Sequence, residues 1–308
     1  MTSLKNNMNL PSDFNWKKYL ELNEDLSNHP NYSTQQGAIS HWKHYGYDEG
    51  RPYKSTDGKY TPKIEIINEK IAVYTCITGN YESLKEIKIL EPDIDYFCFT
   101  DNKNLKSETW KIKEIPSYLI DLDNTRISRC LKILPHLFLC EYDISLWVDA
   151  NIQINGNLNE FISEHIKISN LMTTKHPGRI CVYDESEAVI NLEKDNTRIV
   201  KKQMLKYKNQ LYPKDFGMVQ TNLMLRKHNE SGVIEISKQW WNEVLKFSKR
   251  DQLSFNYVCW KNQDVDVEII NPNITLSKYF TAYFHNGTPD ILKENYGNII
   301  NYFNGKEV

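Results

Sequence analysis

The sequence is short of the features that would place it quickly. No apolar run approaches the roughly 20 residues needed to cross a bilayer, and the opening MTSLKNNMNL lacks the apolar stretch of a secretory signal. Both absences lead us to expect a cytoplasmic protein without a membrane span. There is no excess charge of either sign: 38 Lys and Arg stand against 40 Asp and Glu. A generally basic nucleic-acid binder is thereby excluded, although a local basic patch is not. The six cysteines form no CxxC pair, which argues against a zinc ribbon and against a disulfide framework. Most sit in apolar stretches such as YTCIT and YFCFT and read as buried free thiols in a reducing compartment. Neither GxGxxG nor GxxxxGK[ST] follows any strand-like run, which argues against an ordinary dinucleotide site and a P-loop.

What is present divides the 308 residues unequally. Residues 11–54 read as a small helical module. Ser12 or Asp13 can cap a first helix carrying Phe14, Trp16, Tyr19, Leu20 and Leu26, and Asn28 to Asn31 break it. Ser33 or Thr34 can cap a second, with Ala38, Ile39, Trp42 and Tyr45 at helical spacing and Gly46 as its stop. His41 and His44, near Asp48 and Glu49, have no further ligand pair at diagnostic spacing, so a helix face explains them better than a metal. Residues 55–63, with Gly58 and Pro62, read as a linker.

From residue 64 to 308 the texture changes. Continuous β-rich runs at 70–78, 96–100 and 144–148 read as buried strands, with further strands at 171–174 and 222–225. Helical stretches alternate with them at about 126–139, 158–165, 188–207, 233–247 and 252–260. That alternation predicts an α/β domain with a mixed, mainly parallel sheet.

Five segments could carry chemistry. LWVDANI runs an apolar strand into Asp149 and Asn151; a carboxylate at the end of a central strand sits where α/β sheets place ligands, and its oxygen donors suit Mg²⁺ or Mn²⁺. Arg126, Arg129 and Lys132 recur at i, i+3 and i+6, roughly on one helix face, where a diphosphate would relieve their repulsion. His285 precedes a Gly turn and could ligate a metal alongside Asp149 and Asn151. Ser248 or Asp251, the latter followed by Gln252, could cap the next helix. Asp184 and Glu185 are placed at another helix start, where the dipole favours them.

Read in order, RISRCLKILPHL, SLWVDANIQI, KHPGRICVYDESEAVI, GMVQTNLMLRKHN and WWNEVLKFSKRDQLSFNYV resemble the glycosyltransferase-like domain of the plant turgor-regulation and mucilage-related proteins. A looser likeness joins LKILPHLFLCEYDISLWVDANIQINGNLNEFI, DFGMVQTNLML, RDQLSFNYV and FHNGTP to glycogenin-like enzymes. The segment FNWKKYLELNEDL…AISHWKHYGYDEGR resembles a short helical module of bacterial surface and repeat proteins, to be expected as a packing element or a contact for a protein partner.

The resemblance implies a GT-A fold and transfer of a sugar from a nucleotide-sugar donor, UDP-linked, to a hydroxyl on a glycan, protein or small molecule. It places Asp149 and Asn151 at the DxD position and His285 at the third metal ligand. Thr78, Gly79 and Tyr81 would lie near the base, and Arg126, Arg129 and Lys132 would face the diphosphate. Asp251 and Gln252 would lie beside the transferring sugar, and Asp184, Glu185 and Asp251 are candidate bases for an inverting reaction. Two departures matter: Asn151 replaces the second carboxylate with a weaker amide ligand, and FHNGTP lacks the Lys and Trp of the fuller motif. The competing expectation is a non-catalytic carbohydrate-binding or scaffold protein on the same fold.

Overall fold

The computed structural model describes residues 10–11, 14–29, 31–46, 51, 53 and 69–286. The caps expected at Ser12 and Asp13, the acidic pair Asp48 and Glu49, the linker and the Gly turn after Asn286 lie outside these residues. The chain divides into two compact units, one ending at Ile64 and the other starting at Glu65.

In the first unit Asn15 accepts hydrogen bonds from the N–H groups of Lys17 and Lys18 and starts α1 (Trp16–Leu22). A short α2 (Glu24–Ser27) follows. Thr34 caps α3 (Gln35–His41), its side chain accepting from the Gly37 N–H. The chain then widens into a π-helical turn over Trp42–Gly46. Gly46 belongs at its end because a Cβ there would collide with the Tyr19 hydroxyl. Tyr19, Leu20, Leu26, Ala38 and Trp42 form the unit's own core. His41 is buried in it, its Nδ1 2.9 Å from the Tyr19 hydroxyl, so this histidine serves packing.

The second unit is built on nine strands. They are β1 (Ile71–Ile77), β2 (Ile94–Thr100), β3 (Lys111–Glu114), β4 (Ile144–Val148), β5 (Ile152–Ile154), β6 (Leu171–Lys175), β7 (Val219–Arg226), β8 (Glu268–Ile270) and β9 (Phe280–Ala282). Seven form one sheet in the order β3-β2-β1-β4-β7-β6-β8, and β5 pairs with β9 in a small antiparallel ribbon. Within the large sheet only β7 runs against its neighbours. The expected mixed, mainly parallel sheet is therefore what the chain builds. β1 and β4 are buried along their whole length, as strands covered on both faces must be.

The helices are α4 (Asn124–Ile133), α5 (Leu158–His165), α6 (Val182–Asn191), α7 (Thr197–Asn209), α8 (Ser231–Lys246) and α9 (Gln252–Lys261). Two differ from the sequence reading. α4 stops at Ile133 because Pro135 disfavours helical backbone at Leu134, and a 3₁₀ turn follows. The single helix expected at 188–207 is two: Glu193 adopts φ +52°, and Asn196 caps α7 through the N–H groups of Arg198 and Ile199. Most thiols are buried as expected, but Cys140 is exposed and Cys259 partly so.

The chain leaves β1 outward through β2 and β3, then returns to β4 on the other side. The C-terminal edge between β1 and β4 is thus the switch point where open α/β sheets hold ligands.

Candidate functional site

A pocket of about 500 Å³ opens at that edge. Thr78, Gly79 and Tyr81 line it from the end of β1, and Asp149 from the end of β4. α4 contributes Ser128, Arg129 and Lys132, and the start of α9 contributes Asp251 and Gln252. His285 reaches the same cavity. Two of the β1-side groups are fixed by hydrogen bonds to other segments. The Thr78 hydroxyl donates to the Asn124 carbonyl at 2.9 Å, and the Gly79 N–H donates to the Asp101 carboxylate at 2.9 Å. Gly79 has φ +61°, and a Cβ there would strike the Asn124 amide, so glycine is required on both counts. Tyr81 stays largely exposed, its ring 5.7 Å from that of His285.

The floor is a buried charge network. Asp251 is 1% exposed; its carboxylate lies 2.6 Å from the Lys132 ammonium and 2.9 Å from Arg129 Nε. The Thr221 hydroxyl donates to Asp251 at 3.0 Å and accepts from Lys132 at 2.9 Å. Thr221 holds φ +55°, a conformation that a β-branched residue adopts only when its surroundings impose it, and such strain gathers at functional sites. Burial by itself would raise the Asp251 pKa; the charges of Arg129 and Lys132 outweigh it and hold the carboxyl well below the usual range. Asp251 stands at the N-cap position of α9 but makes no capping bond. The expectation of a helix cap is corrected: two buried cations claim the carboxylate instead. A group held ionised so firmly is also unsuited to accept a proton from a hydroxyl.

Asp149 lies 3.9 Å from Lys132 and accepts a 2.6 Å hydrogen bond from the Trp147 indole. Two cations and two carboxylates therefore balance within this cluster.

Arg126 departs from the reading of the sequence. It is absent from the pocket wall; its guanidinium donates to the carbonyls of Val244 and Phe247 at the end of α8 and pairs with Asp123. Positions i and i+6 lie about 120° apart on a helix, so Arg126 and Lys132 cannot share a face. The face that lines the pocket is Thr125, Ser128, Arg129 and Lys132, at i, i+3, i+4 and i+7. Glu185 is drawn to Arg179 at 2.6 Å, and neither it nor Asp184 lines the pocket.

The proposed metal ligands are dispersed in their engagements. The Asn151 amide donates to the Tyr283 carbonyl at 2.7 Å, and His285 Nδ1 lies 2.9 Å from the Glu82 carboxylate. Among the described residues no three His, Cys, Asp or Glu side chains gather in a way that could hold a metal ion. An ion bound at about 2.1 Å from the near oxygen of Asp149 would also lie within about 6 Å of the Lys132 ammonium. As arranged, these donors do not fit a divalent ion.

Several lining residues have no role in the sequence reading: Glu82 and Lys194, which carry no sequence signal, and Gln220, Lys249 and Arg250, which lie inside the family-like blocks. Among the described residues no helix is long and apolar enough to cross a membrane.

No curated protein matches the chain. Among solved structures, mouse xyloside xylosyltransferase 1 in its apo form is similar at 8% identity and a TM-score of 0.41, over 66% of this chain and 84% of that one. A sequence profile of the TOD1/MUCI70, glycosyltransferase-like domain matches residues 43–280, beginning within the first compact unit. That match spans most of the chain, which therefore belongs to the TOD1/MUCI70 glycosyltransferase-like family.

Proposed function

We propose that the protein transfers a sugar from a nucleotide-sugar donor, UDP-linked, to a hydroxyl acceptor. The observation that carries this reading is the buried cluster of Arg129, Lys132, Asp149 and Asp251 on the floor of a pocket at the sheet's switch point. Buried charges are costly to assemble and persist where their field is used. A cavity of about 500 Å³ is the size that holds a nucleotide-like ligand.

In this reading the base rests against Thr78, Gly79 and Tyr81. The sugar lies over Asp251 and Gln252. The bond from the anomeric carbon to the diphosphate oxygen breaks, and its electron pair stays on that oxygen. The acceptor oxygen forms the new bond at the anomeric carbon, and its proton passes to the departing diphosphate. Fixed cations stabilise the departing charge without reorganising, the most effective form of electrostatic catalysis. Asp251 does not act as the base; it orients Lys132 and Arg129. The Gln252 amide oxygen already accepts from Arg250 at 3.2 Å, which leaves its NH₂ group to meet a sugar hydroxyl.

The test is a panel of nucleotide sugars offered to the full chain, read by release of nucleoside diphosphate and by thermal shift. We expect UDP to raise the melting temperature and Arg129→Ala to reduce that gain sharply. Glycan binding without turnover of any donor would support instead the non-catalytic carbohydrate-binding reading, which the amide at Asn151 favours. No thermal response to any nucleotide or nucleotide sugar would defeat the donor reading.

A further inference from the structure

Three further cations on the pocket wall make no close ion pair, although the Arg250 charge also helps to hold the Asp251 carboxyl low. Lys194, Lys249 and Arg250 line the cavity beside Asp251 and Gln252. Arg129 and Lys132 are matched by Asp251 and Asp149. By contrast, none of the three has a carboxylate in ion-pair contact among the described residues. Arg250 donates to the Gln252 amide oxygen, and its Nε is buried without a hydrogen-bond partner.

Their convergence is built by the chain. The turn between α6 and α7 passes through left-handed Glu193 and is closed by the Lys194 N–H donating to the Val189 carbonyl at 2.9 Å. The next residue, Asp195, reaches across to the segment before α9. Its carboxylate accepts from the Ser248 hydroxyl at 2.7 Å and from the Lys249 N–H at 2.8 Å. The Ser248 hydroxyl in turn accepts from the Arg250 N–H at 3.1 Å. Asp195 thus pins two segments some fifty positions apart and brings Lys194 to the same wall as Lys249 and Arg250. Like charges gathered in a concave site raise the local potential and call for an anion.

We propose that Lys194, Lys249 and Arg250 bind the diphosphate of the donor, and that the nucleoside diphosphate is held without a divalent ion. The inference rests on the nucleotide-sugar reading and names how that site meets its charge. Lys132 already answers the charge of Asp149, and the second position of the motif offers only the neutral amide oxygen of Asn151, so the place expected for a metal has little negative charge to offer one. The three side chains instead present N–H donors to the phosphate oxygens, and they would stabilise the charge that grows on the leaving oxygen.

Isothermal titration of the full chain with UDP and with uridine, each in EDTA and in Mn²⁺, tests this directly. In EDTA the wild type should bind UDP at least about tenfold more tightly than uridine, as expected of several charge-assisted phosphate contacts. Lys194→Gln/Lys249→Gln and Arg250→Gln should each remove most of that preference while leaving uridine affinity and the unliganded melting temperature in place. A preference for UDP that appears only with Mn²⁺ would overturn the inference and leave the nucleotide-sugar reading standing. So would a preference that survives both substitutions. Failure to bind UDP under either condition would bring down both.

Discussion

The Asp251 carboxylate and the Lys132 ammonium lie 2.6 Å apart, and each is about 1% exposed. Arg129 shares the same carboxylate. Removing the one anion would leave two buried cations with only Asp149 nearby. Asp251→Asn should therefore destabilise the fold by about 3 kcal/mol, the scale for breaking a buried ion pair. Urea denaturation at pH 7 measures it. The sign with pH is fixed by the lowered pKa of Asp251. Its contribution is fully present above the unfolded value of about 3.9 and is lost as pH falls toward the lower folded value. The gap between wild type and Asp251→Asn should narrow only below about pH 4.

Arg126 supplies a contrast on the same helix. Its guanidinium closes the C-terminal end of α8 by donating to Val244 and Phe247. Arg126→Ala should lower stability by about 1–2 kcal/mol, as for the loss of hydrogen bonds from a charged group. Nucleotide-induced thermal shifts should stay within error of wild type. Arg129→Ala should instead reduce those shifts sharply. An Arg126→Ala protein that loses its response to UDP would show that this side chain reaches the ligand after all.

Gly79 joins backbone geometry to the site. Alanine there must adopt φ +61° and press its Cβ on the Asn124 amide. Gly79→Ala should cost about 1–3 kcal/mol from left-handed strain and the displaced neighbour. Because Asn124 and Thr125 begin the helix that carries Arg129 and Lys132, UDP should also bind more weakly. A variant of wild-type stability would mean that Asn124 can move aside freely.

These residues also show where sequence reasoning succeeds and where it stops. β1, β2 and β4 were legible because strands buried on both faces are continuous apolar runs. β3 reads Lys-Ile-Lys-Glu on an exposed edge, and β5, β8 and β9 have three residues each, too few to show a period. Asp149 was legible from its place at a strand end, whereas Thr78, Gly79, Asp251 and Gln252, which line the same pocket, entered as site residues only through the family resemblance. Arg126 misled because three cations at i, i+3 and i+6 look like a stripe until the 100° step per residue is applied. Lys194 was silent because its placement depends on Asp195 bridging to Ser248, a contact between distant segments with no local signature.

The last prediction concerns acid sensitivity between neutrality and pH 4. Burial, together with the nearby Arg226 charge, outweighs the Leu139 hydrogen bond and pushes the His228 pKa down to about 4. The ring is 1% exposed, and its Nε2 lies 2.9 Å from the Leu139 carbonyl. In the unfolded chain the same ring titrates near its ordinary value of about 6.5. Below that value the unfolded state binds a proton that the folded state refuses, so stability falls as pH drops toward 4 and levels off beneath it. His176, pushed down to about 4 by burial and then by Arg179, adds in the same direction. The urea midpoint should therefore decline from pH 7 to pH 4, before the window in which Asp251 titrates. His228→Gln keeps a donor for Leu139 but has no proton to gain. It should flatten part of that decline, and an unchanged slope would show that His228 takes up its proton at the same pH in the folded and unfolded chain.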